Sequence, residues 1–308
     1  MKSGLIALSL ILSALSTQLH AAKPADGDVV VTIRPLHSLA ATVLGELAEP
    51  TLLLDKAESP HTFQLKPSDV RAISKAQVVV YIGPDFESFM ESAMQEKEEA
   101  GLIISELPTL SWPEGDDEHE GHDEHEDHDE HEDHDHSRDY HLWMDPRNAA
   151  VIAEALRDRF SALYPEFADE FAANTERLLS ELQAVEASVR ESLESVSDRP
   201  YMVFHDAYGH FESRFGMHNV GAITINPAIA TSVKRLRAVR ERIRQEEAVC
   251  VFSEPQFDSR LVNTAVEGTD ARTGLLDPLG TNLEPGPSLY VAFLQHVATQ
   301  MKDCLSPQ

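Results

Sequence analysis

Fifteen histidines stand in this 308-residue chain, and they fall into two very different settings. Seven of them, His119, His122, His125, His128, His131, His134 and His136, recur mostly at every third position between Glu114 and His136, interleaved with 14 acidic residues. Imidazole ligates zinc, copper and nickel well, and repeated ligands on a flexible chain form many shallow, interchangeable sites. Weak, exchangeable metal capture is one reading of this tract, and a solvated charge run with incidental histidines is the other. It contains no HExxH arrangement, so no zinc-peptidase helix is hidden in it.

Outside the tract, position relative to strands separates the candidates. In open α/β sheets, ligands gather in loops past the carboxyl ends of strands. His205 directly follows the strand-like run YMVF, and His61 lies in SPHTF after the apolar run Thr51 to Leu54. His141 stands in YHLWMDP just before a capped helix, and Asp277 follows TGLL and offers a hard oxygen. His37, in RPLHSLA, is a candidate to line the same cleft, and Glu254, after AVCVF, reads either as a loop or capping residue or as a carboxylate that orients a ligand through a hydrogen bond. His210, His218 and His296 read as surface or packing residues.

The elements that must position these groups alternate strand and helix. Residues 28–33 (DVVVTI) and 76–82 (AQVVVYI) are short β-branched runs of the kind that form buried parallel strands. Helices are expected at Pro35 to Leu47 and at Ser68 to Lys75, the latter with Ser68 as N-cap. Asp145 before Pro146 predicts an N-cap followed by proline at the first helical position, with the helix running to Leu163. The pattern restarts with strands at 201–204, 248–252 and 273–276 and a helix from Ser232 to Arg244. Two α/β lobes with parallel sheets follow, residues 22–164 and 198–308, each expected to have its own core.

Between them, residues 165–197 contain no internal glycine or proline. Phe167, Phe171, Leu178, Leu182, Val185 and Val189 recur at helical spacings, which predicts one long linker helix of more than about 40 Å. A coiled-coil dimerisation helix is the competing reading. Residues 114–138 lack the apolar surface that would offset the entropy of ordering, so no fixed fold is expected there.

Composition limits the partners. With 25 Lys+Arg against 53 Asp+Glu the formal charge is −28, and residues 116–135 alone carry 13 negative charges and no Lys or Arg. Phosphate backbones reward the opposite sign, so nucleic acid is not expected as a partner. The first 21 residues combine Lys2, an apolar run from Leu5 to Leu15 and small residues suited to cleavage near Ala21 or Ala22, a signal-peptide pattern that implies export to the periplasm. An amphipathic helix is the alternative, disfavoured by the missing charged face. In an oxidising compartment Cys250 and Cys304 are free to pair, and two separate buried thiols are the other reading.

SPHTFQLKPSDV, YHLWMDPRNA, VFHDAYGHFESRFG, VFSEPQF and LLDPLGT occur in that order around a long helix and a His-rich acidic loop. In this the chain resembles the metal-binding family of ABC-transporter solute receptors, its zinc-binding periplasmic members above all, over essentially the whole mature chain. The resemblance implies two α/β lobes joined by a long rigid helix, with one metal in the interlobe cleft. It places His61, His141 and His205 at the family's three histidine positions and makes Asp277 the fourth ligand, directly or through water. Some zinc members have Glu before the first histidine, where this chain has Pro60. The resemblance also implies a Cys250–Cys304 disulfide, a monomer, and an inner-membrane ABC permease as partner. Three imidazoles and one oxygen suit Zn2+, whereas manganese prefers more carboxylate. A manganese or iron receptor, a periplasmic zinc buffer working through the tract, and a zinc hydrolase are the alternatives.

Overall fold

A computed structural model of the chain describes residues 23–113 and 138–307. The signal peptide expected at 1–21 and the seven histidines of the tract lie outside the described residues.

Two four-stranded sheets, all parallel, carry the fold. The first is built from β1 (Val29–Val31), β2 (Thr51–Leu52), β3 (Val78–Tyr81) and β4 (Gly101–Ile103), in the order β2-β1-β3-β4. The second is built from β5 (Tyr201–His205), β6 (Asn219–Thr224), β7 (Cys250–Ser253) and β8 (Arg272–Leu275), in the order β6-β5-β7-β8. Each sheet thus has its first two strands exchanged relative to chain order. Its switch point lies between its first and third strands, where a crevice opens at the carboxyl ends.

Nine α-helices are described: α1 (Arg34–Leu44), α2 (Pro67–Lys75), α3 (Glu91–Met94), α4 (Pro146–Leu163), α5 (Ala168–Leu193), α6 (Gly209–Phe215), α7 (Val233–Gln245), α8 (Arg260–Val266) and α9 (Leu289–Leu305). Asp145 caps α4 by accepting the Arg147 N–H at 2.8 Å, and Ser232 caps α7 by accepting the Arg235 N–H at 3.1 Å. The cap expected at Ser68 is corrected. Pro67, pre-set for the first helical position, starts α2 a residue earlier, so Lys66 is the N-cap and its N–H donates to Asp69 at 2.8 Å.

The linker is shorter than the 165–197 expected. Pro165–Phe167 forms a 3-10 turn, and the α-helix proper has 26 residues, about 39 Å. Its apolar seam, Phe171, Leu178, Leu182, Val185 and Val189, is buried against α1, α4 and α9 of the same chain. That seam is therefore not available for a coiled coil.

The expectation of one core per lobe is also corrected. A single hydrophobic cluster runs from Val29 through α5 to Leu305, and only a smaller one, around Met202, Phe204, Val220, Ile223 and Val251, lies separately under α7 and α8. The physical reason is α9, which belongs to the second half in sequence yet packs on α1 of the first as well as on α5. Polar bonds reinforce the junction. Tyr290 donates its N–H to Ser38 Oγ at 2.9 Å and its hydroxyl to the Trp143 carbonyl at 2.7 Å, while Trp143 Nε1 donates to the Pro278 carbonyl at 2.6 Å. Asp145, besides capping α4, holds Arg214 of α6 at 2.6 Å. Cys250 and Cys304 form a disulfide with their Cα atoms 6.1 Å apart, tying β7 to the end of α9.

Candidate metal centre

The carboxyl ends of both sheets converge on three histidines. His205 is the last residue of β5; His61 sits in the loop after β2, its N–H donated to Ser59 Oγ at 3.3 Å; His141 opens the 3-10 turn Leu142–Met144 that leads into α4. One ring nitrogen from each lies within 4.8 Å of the others. His141 and His205 are buried and His61 is half-buried.

Hydrogen bonds fix which nitrogens face inward. His205 Nδ1 lies 2.8 and 2.9 Å from the two carboxylate oxygens of Glu254, and His141 Nδ1 lies 2.6 Å from Asp139 Oδ1. In the neutral ring each Nδ1–H donates to its carboxylate, which leaves a bare lone pair on Nε2. Those two Nε2 atoms are 3.2 Å apart. Two lone pairs at that distance repel unless a cation stands between them. Two nitrogens about 2.05 Å from a tetrahedral zinc are themselves about 3.3 Å apart. The third ring completes the argument, because His61 Nε2 is buried with no hydrogen-bond partner.

Electrostatics keep this set ready for a cation. Burial, then the neighbouring His141 and His205 rings, push the His61 pKa down to about 2, so this ring is neutral across the physiological range. Burial works to raise the Asp139 pKa, but its interactions with the ring and backbone N–H of His141 outweigh it and hold the carboxyl at about 2, so it stays an acceptor.

The three rings line a small cavity together with Ser59, Pro60, Trp143, Glu254, Gln256, Phe257, Pro278 and Leu279. Its free volume is about 10 Å3, enough for one ion or water.

Asp277, the expected fourth ligand, is buried but stands outside this trio. Its Oδ1 accepts from Gln256 Nε2 at 2.8 Å and the Leu279 N–H at 3.1 Å; its Oδ2 accepts from the Thr281 N–H and hydroxyl, both at 2.6 Å. His37 is likewise elsewhere: its Nε2 bonds to the Pro50 carbonyl at 3.0 Å and it does not line the cavity.

Three contributors escaped the sequence reading. Asp139 stands two residues before His141 and was not singled out from the sequence. His210, read as surface or packing, is buried: its Nε2 donates to the Asp139 carbonyl at 2.7 Å, and Asn148 Nδ2 lies 3.3 Å from its Nδ1. Asn148 in turn exchanges two hydrogen bonds with Ser111 at 2.8 and 2.9 Å. Gln256 carries no metal-ligand pattern. The spacing D-Y-H was the one available signal, a carboxylate placed to orient a ligating ring.

Glu254 has a measurable consequence. Glu254→Leu leaves the His205 Nδ1–H buried without an acceptor and frees the proton to move to Nε2, the atom that faces His141. Metal affinity is expected to fall about 10- to 100-fold, read by chelator competition. An unchanged affinity would show that the carboxylate does not set the tautomer.

Two parallel sheets whose flanking helices pack on a common long helix, with three imidazoles, two of them buried, where their carboxyl ends meet, define a two-lobed binding protein with a candidate metal site between its lobes. The chain belongs to the zinc-uptake complex component A family, described as periplasmic, whose model matches residues 29–304. It is 40% identical to the high-affinity zinc uptake system protein ZnuA of Brucella suis biovar 1 (strain 1330), over 90% of this chain and 91% of that one. It is 34% identical to the ZnuA of Yersinia pestis, over 91% and 92%. Among solved structures, the periplasmic zinc-binding protein TroA from Treponema pallidum superposes with a TM-score of 0.77 at 19% identity, covering 93% of this chain and all of that one. A crystal structure of ZnuA gives 0.75 at 21% identity, covering 92% and 99%. The last two establish the fold.

Proposed function

We propose that this chain is the periplasmic receptor of a zinc importer: it captures one Zn2+ with His61, His141 and His205 and hands it to an inner-membrane ABC permease. The carrying observation is the pair of Nε2 lone pairs 3.2 Å apart, each backed by a carboxylate on its Nδ1. A nitrogen-rich set of neutral ligands favours zinc over manganese or magnesium, which take oxygen. The names of the Brucella and Yersinia relatives, both high-affinity zinc uptake system proteins, point the same way.

Capture rather than catalysis fits the site. The space among the three rings suits one ion or water. Glu254, the one carboxylate in its lining, is spent on His205 instead of standing free as a general base. The seam of α5 is used inside the chain, which supports a monomer. Export follows from the leader at 1–21, which is removed on the way to the periplasm.

The His-rich tract adds weaker equivalents of metal and is not the tight site. Deleting residues 116–136 is therefore expected to leave about one tight zinc per chain in calorimetry while the weaker binding disappears. A deletion variant with no tight zinc would refute the cleft site and favour a buffer that works through the tract.

A further inference from the structure

We infer that Gln256 Oε1, and not the Asp277 carboxylate, faces the fourth position of the bound ion, with Asp277 acting as the group that aims it. The inference rests on the zinc site proposed above. A four-coordinate ion held by three imidazoles needs one more donor, and four observations assign it.

Gln256 lines the same cavity as the three rings, and Asp277 does not. The orientation of the amide is fixed: the group bonded to the Asp277 carboxylate must be the donating Nε2, so the atom left over is the carbonyl oxygen. That oxygen is buried and has no hydrogen-bond partner, and a buried acceptor left unpaired is costly until something fills it. Asp277, by contrast, already receives four donors on its two oxygens, which is about all an ionised carboxylate accommodates. Turning it toward the ion would break the Thr281 turn and release Gln256 together.

The site then has a repeated construction. Three of the four donors are backed by a carboxylate one hydrogen bond behind them: Asp139 behind His141, Glu254 behind His205, Asp277 behind Gln256. His61 turns toward the ion an Nε2 that is buried and has no hydrogen-bond partner. All four donors are neutral, and a neutral amide oxygen is a weaker donor than a carboxylate. A receptor that must surrender its ion gains from one weak, well-aimed donor, and the lack of a charged oxygen further disfavours manganese.

The test compares Gln256→Leu with Asp277→Asn in the full chain, using Zn2+ competition and the visible absorption of bound Co2+. Gln256→Leu is expected to weaken zinc about tenfold or more and to alter the Co2+ bands. Asp277→Asn, whose amide oxygen still accepts from Gln256, is expected to do less on both counts. A zinc-loaded crystal structure of the unmutated chain supplies a readout independent of folding: Gln256 Oε1 should contact the ion or its one bound water. An Asp277 oxygen on the ion, or a Gln256→Leu variant with unchanged affinity and Co2+ spectrum, overturns the assignment. Absence of tight zinc binding by the unmutated chain would instead sink the proposed function.

Discussion

His61→Ala is expected to weaken zinc binding by more than about 100-fold while leaving the metal-free chain as stable as before. Zinc bound through four protein donors is worth about 10–16 kcal/mol, so one donor accounts for about 3 kcal/mol, somewhat more than two powers of ten in Kd. The stability half of the prediction comes from the bonding of the ring. Its Nε2 has no partner to lose, and its burial has already driven the pKa to about 2, so the fold gains nothing electrostatic from it. His205→Ala behaves differently. It removes a comparable share of affinity but strands Glu254, which is buried and bonded through both oxygens to the missing ring. Breaking a buried pair by deleting one member is costly, so this variant is expected to unfold earlier even without metal. Chelator competition and thermal melts of the two apo variants separate the effects. Equal melting temperatures with unchanged affinities would contradict both halves.

The contrast shows where a sequence is informative and where it falls silent. Val29–Val31 and Val78–Tyr81 were legible because strands buried on both faces need unbroken apolar runs, whereas Gly101–Ile103 is short and Asn219–Thr224 is interrupted by Gly221, and neither was read as a strand. His205 and Asp277 were found by the rule that sites gather after strands. The rule names positions and does not say where a side chain turns, and at Asp277 the nearby Thr281 and Gln256 decide that. Gln256 itself was invisible, because an amide becomes a candidate donor only when its other end is seen to be tied down. The shared core was equally hidden: the pairing of α9 with α1 joins residues some 250 positions apart and leaves no local pattern.

That shared core changes how exchange of the ion must be pictured. The donors come from both halves, which suggests that the lobes part to release metal. Yet Ser38 with Tyr290, Trp143 with Pro278 and Asp145 with Arg214 bond across the junction, on top of one continuous apolar cluster. Separating the halves would break all of these together. The less costly displacement is local, at the loop carrying Ser59, Pro60 and His61, where the one half-exposed ligand sits.

The disulfide belongs to this junction, and cutting it is the second large effect. It closes a loop of 54 residues, and in the chain-entropy model a cross-link of that span stabilises the fold by about 4 kcal/mol. The bridge joins the first residue of β7 to the end of α9, so it holds the helix that spans both halves against the strand that leads to Glu254. It is packed as well as linked, since a Cβ added at Gly274 of β8 would come within 3.1 Å of Cys304 Sγ. Neither sulfur lines the metal cavity. The double variant Cys250→Ala, Cys304→Ala is therefore expected to unfold at markedly lower denaturant, by about 3–4 kcal/mol, with an m-value that rises because the unfolded chain without its cross-link exposes more surface. Its zinc affinity should stay within a few-fold of the parent. The comparison must be made with chelator present, because bound zinc stabilises the native state by mass action and would mask the loss. A loss below about 1 kcal/mol would mean that the unfolded chain is already compact around this segment. A large fall in zinc affinity would mean that β7 cannot hold Glu254 behind His205 without the bridge.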